Sequence, residues 1–433
     1  MTGETELLVW REIYGEYELV GTLFGDSDSL EFEYEESYLR SPSSKALSAS
    51  LPLEAVSFGE RATKAFFDGL LPEGSLRKSL SLALRTSMED VSTLLSRLSD
   101  ESCGALVFTS IEGSPTDERW YEDLDSADLS SFATQPHKAA LDLCMSSRLS
   151  LAGAQSKIGL KLDRSEDGLR WLIPHGTAST SHIIKASDGT FPNLTLNEAV
   201  CMRAAKLLHF EVPDVFLLDV DVNEPLLAIE RFDRVTDTGL EFPLRLHQED
   251  FCQALGLASF QKYEPSSAHY PSLCSSLLAK RSANSFGDNV SLFESICLSA
   301  LIGNCDNHLK NYSLLLDESW TNWEMAPLYD ITCTTVYDWL DREMGVALCP
   351  SRKVDDVRPE DMLAVADSMH IPRSIVRVDL CELCDQLLDA IRLAGTQLAS
   401  EGFPKAEIMA DAIIADRSEF VTDASRQLRS IIH

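Results

Sequence analysis

The apolar positions of this chain change their period along its length. Near the start they alternate: residues 7–13 and 17–24 read as two strands either side of Gly15, which predicts a hairpin. Leu30, Phe32 and Tyr34 alternate with Glu31, Glu33 and Glu35, a strand with one acidic, solvated face. From about Arg61 the spacing becomes helical, and Ala65, Phe66, Leu70 and Leu71 predict a helix that stops near Pro72-Glu73-Gly74. Ser87-Met88-Glu89-Asp90 reads as a capping box ahead of Val91, Leu94, Leu95 and Leu98. Residues 103–108 read as a short apolar strand, and 110–136, rich in Ser, Asp and Glu, as a linker or extended connection.

A second body begins near His137. Residues 157–162, 170–173 and 181–186 are strand candidates, followed by a helix over 196–209 and strands over 215–220 and 226–232. From Gln248 onward the pattern is mostly helical: 249–255, 292–302, 359–369, 372–399 and 405–432. A strand-rich piece with one helix, followed by a helical piece, is the order of a two-lobed kinase.

Composition narrows the class. The chain has 433 residues, 44% hydrophobic and 24% charged, enough for two or three globular domains. Lys and Arg number 37 and Asp and Glu 69, so the formal net charge is −32. Residues 1–140 hold 26 of the acids and 11 of the bases, which makes this third the more acidic per residue. A surface so negative repels phosphate backbones, so no direct nucleic-acid binding is expected. The 11 cysteines lie mostly in apolar stretches and read as small hydrophobes of a reducing, cytoplasmic compartment. One Cys-x-x-Cys, Cys381 and Cys384, lacks the further ligands that zinc needs. Residues 1–15 do not read as a signal peptide, and no run of about 18 apolar residues predicts a membrane span.

The chemistry concentrates in Gly303-Asn304-Cys305-Asp306-Asn307-His308-Leu309-Lys310-Asn311. Phosphoryl transfer from ATP uses an Asp for the substrate hydroxyl and, five residues on, an Asn whose carbonyl reaches magnesium. The order Asp-x-His-x-x-Asn resembles the lipid-kinase-like and HipA-like branches of the kinase superfamily. The plain alternative is a polar turn between a helix and a strand. Asp330, in Ala326-Pro327-Leu328-Tyr329-Asp330-Ile331, stands where kinases carry a second metal-binding Asp, though the Asp-Phe-Gly form is absent. Lys185 ends the apolar strand Ser181-His182-Ile183-Ile184-Lys185, as a phosphate-holding lysine does. Glu198 is its candidate partner, although Thr195-Leu196-Asn197-Glu198 also reads as a capping box. The small residues of Ser150-Leu151-Ala152-Gly153-Ala154-Gln155-Ser156-Lys157 let backbone N–H groups approach phosphates, but a tight turn explains them equally. Glu230-Arg231-Phe232-Asp233-Arg234 reads as a segment joining two lobes or as an ordinary strand end.

These stretches, with Leu246-His247-Gln248-Glu249-Asp250-Phe251, stand in the order and spacing of the HipA family of bacterial toxin kinases, which the chain resembles over about its whole length. Phe66-Phe67-Asp68-Gly69-Leu70-Leu71-Pro72-Glu73-Gly74 is similar to that family's small N-terminal domain. The resemblance implies an α+β, two-lobed protein-kinase-like fold with a small N-terminal α/β domain and a helical C-terminal lobe. The divisions are 1–110 for the N-terminal domain, 111–136 for the linker, 137–240 for the N-lobe and 241–433 for the C-lobe. It implies Asp306 as catalytic base, Asn311 and Asp330 as magnesium ligands, and Ser150 as an autophosphorylation site. The ATP site would take Ala152, Gly153, Ala154, Gln155, Lys157, Lys185, Glu230, Phe232, Gln248, His308, Lys310, Asn311 and Asp330. Glu230 and Phe232 would offer backbone groups to adenine. Asn307 stands where Gly is common, and Leu246-His247-Gln248 varies the usual form. The implied function is an ATP- and Mg2+-dependent serine/threonine protein kinase, the toxin of a toxin–antitoxin pair. A HipB-like DNA-binding antitoxin would be its partner, and a translation protein such as an aminoacyl-tRNA synthetase its substrate. The alternatives are a kinase-shaped binding scaffold and a small-molecule or lipid kinase. The chain lacks an obvious basic membrane-facing helix, which weakens the lipid version.

Overall fold

A computed structural model describes residues 5–25, 29–54, 56–98, 101–115, 118–147, 151–153, 155–165, 168–187, 189–220, 222, 224–236 and 239–431. The chain forms two compact units. One comprises Met1–Asp188, Leu218–Ser259 and Leu314–Trp323, the other Gly189–Leu217, Phe260–Ser313 and Glu324–His433.

The first unit opens with the expected hairpin, β1 (Thr5–Ile13) and β2 (Glu16–Gly25), joined through Tyr14-Gly15. β3 (Leu30–Tyr34) and β4 (Ser57–Phe58) extend the sheet on one side, and β5 (Leu106–Ser110) pairs with β1 on the other. In β3 the pattern holds side chain by side chain: Leu30, Phe32 and Tyr34 are buried, Glu31 and Glu33 exposed. Helix Glu60–Phe67 ends before Pro72, and helix Gly74–Leu84 starts at the glycine expected to stop it. The capping box expected at Ser87 is not formed. Helix Val91–Arg97 is capped by Asp90, whose Oδ1 accepts from Thr93 N at 3.0 Å, while Ser87 closes a local turn onto Glu89 N.

The polar stretch expected as a connection carries structure of its own. β6 (Arg119–Asp123) pairs with β8 (Gly168–Gly176), and helices Ser126–Thr134 and Pro136–Ser147 follow. Each helix buries a thin apolar stripe, Leu129 with Phe132 and Ala140 with Cys144, too sparse to stand out from its Ser and Asp content. β7 (Lys157–Ser165) lies between β8 and β9 (His182–Lys185), and strand Leu226–Glu230 flanks β9, all antiparallel.

A balanced group of three acids and three arginines is buried in this unit. Glu101 accepts from Arg234 Nη2 at 2.8 Å, from Arg245 Nη2 at 2.6 Å and from Arg231 Nη1 at 3.3 Å. Arg231 also grips Asp233 with two bonds, 2.8 and 2.6 Å, and Arg245 reaches Glu12 at 3.1 Å. Burial alone would push the Glu101 carboxyl up, but Arg234, Arg245 and Arg231 together hold it well below the usual carboxylate range.

The second unit is helical. Helices Arg373–Ser400 and Lys405–Ile431 form a long antiparallel pair packed on helix Leu194–Leu207. Helix Ser285–Ile302 is longer than expected, and helix Tyr270–Arg281, begun by His269 accepting from Ser272 N, was not legible in the pattern. Among the described residues no helix is long and apolar enough to cross a membrane.

Glu294 of helix Ser285–Ile302 meets Asp379 of helix Arg373–Ser400. Burial, and then the neighbouring carboxylate, push the Glu294 carboxyl up to about 7. The folded state therefore holds a proton that the unfolded chain has released. The stability this lends is present below the ordinary glutamate range and is lost as pH rises toward 7. Glu294→Gln should match the parent in thermal unfolding at pH 4.5 and exceed it by about 1 kcal/mol at pH 8, the half-buried site being partly screened by solvent.

Candidate active site

The candidate loop starts where helix Ser285–Ile302 stops. Gly303 takes φ +80, and a Cβ there would lie 2.2 Å from Thr335 Oγ1, so only glycine turns the chain at this point. The last helical carbonyls, which lack helical partners, are met by Arg417. Its Nε donates to Leu301 O at 3.1 Å and its Nη2 to Ala300 O at 2.8 Å. This buried guanidinium also places positive charge at the negative end of the helix dipole.

Asn304 then organises the loop. Its Oδ1 accepts from Asp306 N at 3.1 Å, and its Nδ2 lies 3.5 Å from Asp330 O, so one amide touches both aspartates expected to matter. Asn311 Nδ2 donates to the Asp306 carbonyl at 2.7 Å, closing the five-residue interval and leaving its own Oδ1 for another partner. Asp306 is 54% exposed, and Tyr263 donates to its Oδ1 at 2.8 Å. His308 Nε2 stands 3.9 Å from the same oxygen. Asn307 is buried, its Oδ1 accepting from Gly345 N and Val346 N and its Nδ2 donating to Val346 O. Its amide thus clamps the 345–346 backbone, a task a glycine in its place could not do. Lys310 is buried, and its carbonyl accepts from Tyr329 OH at 2.8 Å.

Asp330 has φ +54, a left-handed backbone uncommon outside glycine. Such strain persists where surrounding contacts over-determine it and is enriched at functional sites. Glu198 is buried inside helix Leu194–Leu207, whose N-cap position is Asn193. Thr195 lies within the helix, so the capping-box explanation of Glu198 is overturned.

The other expected residues lie in the first unit. Lys185 ends β9, buried, directly opposite Lys157 of β7. Opposed residues of an antiparallel pair share one face, so the two lysines stand on the same side of the sheet. Gly153 takes φ +107, and a Cβ on it would lie 2.8 Å from Lys157 Nζ, so the ammonium sits over the bare glycine. The loop is anchored by Glu73 N donating to Gly153 O at 3.0 Å and by Gln155 Nε2 donating to Ala186 O at 3.4 Å. Ala152 is half-buried in this loop, while Ser150 and Ala154 lie outside the described residues.

Glu230 ends its strand opposite His182, half-buried like Phe232, whereas the intervening Arg231 and the following Asp233 and Arg234 are buried in the ionic group. The motif Glu230 to Arg234 is thus mainly a charge-pairing element. Gln248 Nε2 donates to Asp233 Oδ2 at 3.2 Å, which places this side chain on the ionic group. His247 stacks on Trp320 at 4.4 Å between ring centroids and contacts Leu47 O at 2.8 Å, and burial pushes it down to about 4. It is an uncharged packing residue.

The residues that sequence reasoning left without a role are Asn304, Tyr263 and Arg417. Asn304 stood in the quoted motif, and an Asn-x-Asp turn was available as its signal. Nothing local marks Tyr263 or Arg417, because their partners lie 43 and 116 residues away.

This α+β architecture is that of a HipA-like kinase. Superposition on the HipA of Shewanella oneidensis, solved with HipB and its operator DNA, gives a TM-score of 0.78, covering 97% of this chain and 99% of that one at 23% identity. The chain belongs to the HipA family: the HipA-like C-terminal domain matches residues 149–391 and the HipA N-terminal domain residues 12–109. It is 34% identical over 370 residues to the Sinorhizobium fredii protein named "Putative kinase Y4mE", covering 83% of this chain and 85% of the relative. It is 25% identical over 358 residues to the serine/threonine-protein kinase toxin HipA of Shewanella oneidensis, 80% of each chain.

Proposed function

We propose that this chain is an ATP-dependent serine/threonine protein kinase acting as the toxin of a toxin–antitoxin pair. The observation that carries the reading is the tie between Asp306, Asn311 and Asp330 through Asn304 and the Asp306 carbonyl. In this reading the substrate hydroxyl attacks the γ-phosphorus, the bond to the β-phosphate oxygen breaks, ADP leaves, and the hydroxyl proton passes to Asp306. Lys157 and Lys185 take the phosphates over the Gly153 loop, with Ala152 and Gln155 alongside, and Ala154 is a further proposed nucleotide contact. Glu230 and Phe232 offer backbone groups to adenine, and His308, Lys310 and Gln248 border the nucleotide.

The donor set suits magnesium. Asn311 keeps its carbonyl oxygen for a ligand while its nitrogen is engaged, and Asp330 supplies a carboxylate, both hard oxygen donors. Bound there, the ion would neutralise phosphate charge. Ser150 is the proposed autophosphorylation site. The partner is a HipB-like antitoxin, as in the complex solved for the Shewanella relative, and it would bring the DNA contacts that a chain of net charge −32 lacks. The substrate is a translation protein such as an aminoacyl-tRNA synthetase, and the compartment is the cytoplasm.

The test is phosphate transfer from labelled ATP, with and without lysate, followed by mass spectrometry of the labelled bands. Absence of transfer under every condition would favour the scaffold reading. Asn311→Ala and Asp330→Ala check the metal roles. Outer-shell changes already cost about 10- to 100-fold in metal affinity, so loss of a direct ligand should weaken Mg-ATP at least about tenfold. Affinity for ATP in EDTA should stay at the parental value. Equal losses with and without magnesium would refute the metal assignment.

A further inference from the structure

We propose that Tyr263 is a positioning residue for Asp306, presetting the carboxylate that receives the substrate proton. The inference rests on the reading of Asp306 as base. Tyr263 OH donates to Asp306 Oδ1 at 2.8 Å, and among the described residues no hydrogen bond falls on Oδ2. A carboxylate has room for about four such contacts, so a donor on one oxygen orients the group and leaves the other for the incoming hydroxyl.

The backbone on both sides of Tyr263 is fastened to the same loop system. Lys262 O accepts from Leu309 N at 3.1 Å, inside the candidate loop. Glu264 N donates to Gly345 O at 2.8 Å, and Gly345 N in turn donates to Cys305 O at 2.9 Å. Glu264 is buried, and its Oε2 accepts from Ala347 N at 3.2 Å. Gly345 is pressed against the loop, since a Cβ there would lie 2.8 Å from His308 N and Cα. The residues before and after Tyr263 are thus each held against the segment that carries Asp306.

The ring is held as well. It meets the His308 imidazole edge to face, with centroids 5.3 Å apart and planes at 82°, and the Lys262 ammonium lies 5.4 Å from its centroid. The phenol is therefore aimed by anchored backbone and by ring packing, while Tyr263 remains 45% exposed, at the surface where a protein substrate would arrive. Charge-assisted hydrogen bonds are the stronger kind, and a catalytic group must be held close to its productive geometry. In the transfer step Tyr263 keeps its own proton and forms no bond to phosphorus. The alternative is that the phenol holds the place of the acceptor hydroxyl and must leave before substrate binds.

Tyr263→Phe separates these, because it keeps the ring on His308 and removes only the hydroxyl. Steady-state transfer from Mg-ATP to a protein acceptor should show kcat lowered about tenfold, the scale of one hydrogen bond to a charged group. The KM for ATP and the thermal unfolding midpoint should stay at parental values. In an Asp306→Asn background the same change should have no further effect, because the group it positions is already gone. A kcat equal to or above the parent's in Tyr263→Phe, with transfer lost in Asp306→Asn, would overturn this proposal and leave the base reading standing. Transfer that survives in Asp306→Asn would overturn both.

Discussion

Asp306→Ala should lower phosphoryl transfer by about 10²- to 10⁴-fold, the usual contribution of a positioned general base. Its affinity for Mg-ATP should be little changed. The carboxylate acts on the incoming hydroxyl, and the contacts that shape the loop use the Asp306 main chain. Asn304 Oδ1 takes its N–H, and Asn311 Nδ2 and His308 N take its carbonyl. Alanine keeps all three. Transfer rates with labelled ATP, set beside calorimetric titration of Mg-ATP, make the check. Loss of both activities together would mark Asp306 as a structural residue and remove it from the chemistry.

Glu101→Gln should unfold the first unit more readily than any change at the candidate active site. The carboxylate is buried with Arg231, Arg234 and Arg245 around it, and glutamine leaves three guanidinium groups facing a neutral amide. Removing one partner of a buried ionic group costs about 3–5 kcal/mol, because the remaining charges stay out of water without compensation. The sign of the pH dependence follows from the lowered carboxyl. The contribution of Glu101 is fully present above the ordinary glutamate range and is lost as pH falls below it. Thermal melts should therefore place Glu101→Gln far below the parent at pH 7 and closer to it in acid. A change smaller than about 1 kcal/mol at pH 7 would mean that the group is balanced without Glu101.

The two predictions divide along what was legible. The Asp306 loop could be read because its parts are contiguous: an Asp, a His and an Asn within six positions, after a helical apolar run and before a strand. The first three strands were equally plain, since alternation of Leu30, Phe32 and Tyr34 with glutamates leaves one face for the core. Glu101 carried no such signal. Its arginine partners stand 130 to 144 residues away in sequence, and those nearest the hinge-like motif read as part of that motif. Both capping boxes inferred from the spacing of Ser or Thr and an acid failed for a related reason. The pattern is common, and which residue becomes the cap depends on where packing starts the helix. That residue was Asp90 in one case and Asn193 in the other.

By itself the sequence determined the N-terminal hairpin and third strand, the helices after residue 359, the family motifs, and the residue types available for phosphate and metal chemistry. These follow from preferences that act over a few neighbouring residues: a period of two or 3.6, a glycine where the backbone turns left-handed, a short spacing on one loop. The tertiary structure alone decided which charges are buried together, that Arg417 closes the end of the helix leading into Asp306, and that Tyr263 reaches the carboxylate. The bonds made by Glu101, Arg417 and Tyr263 each join residues more than forty positions apart, and a charge leaves water only where the fold brings a partner to it.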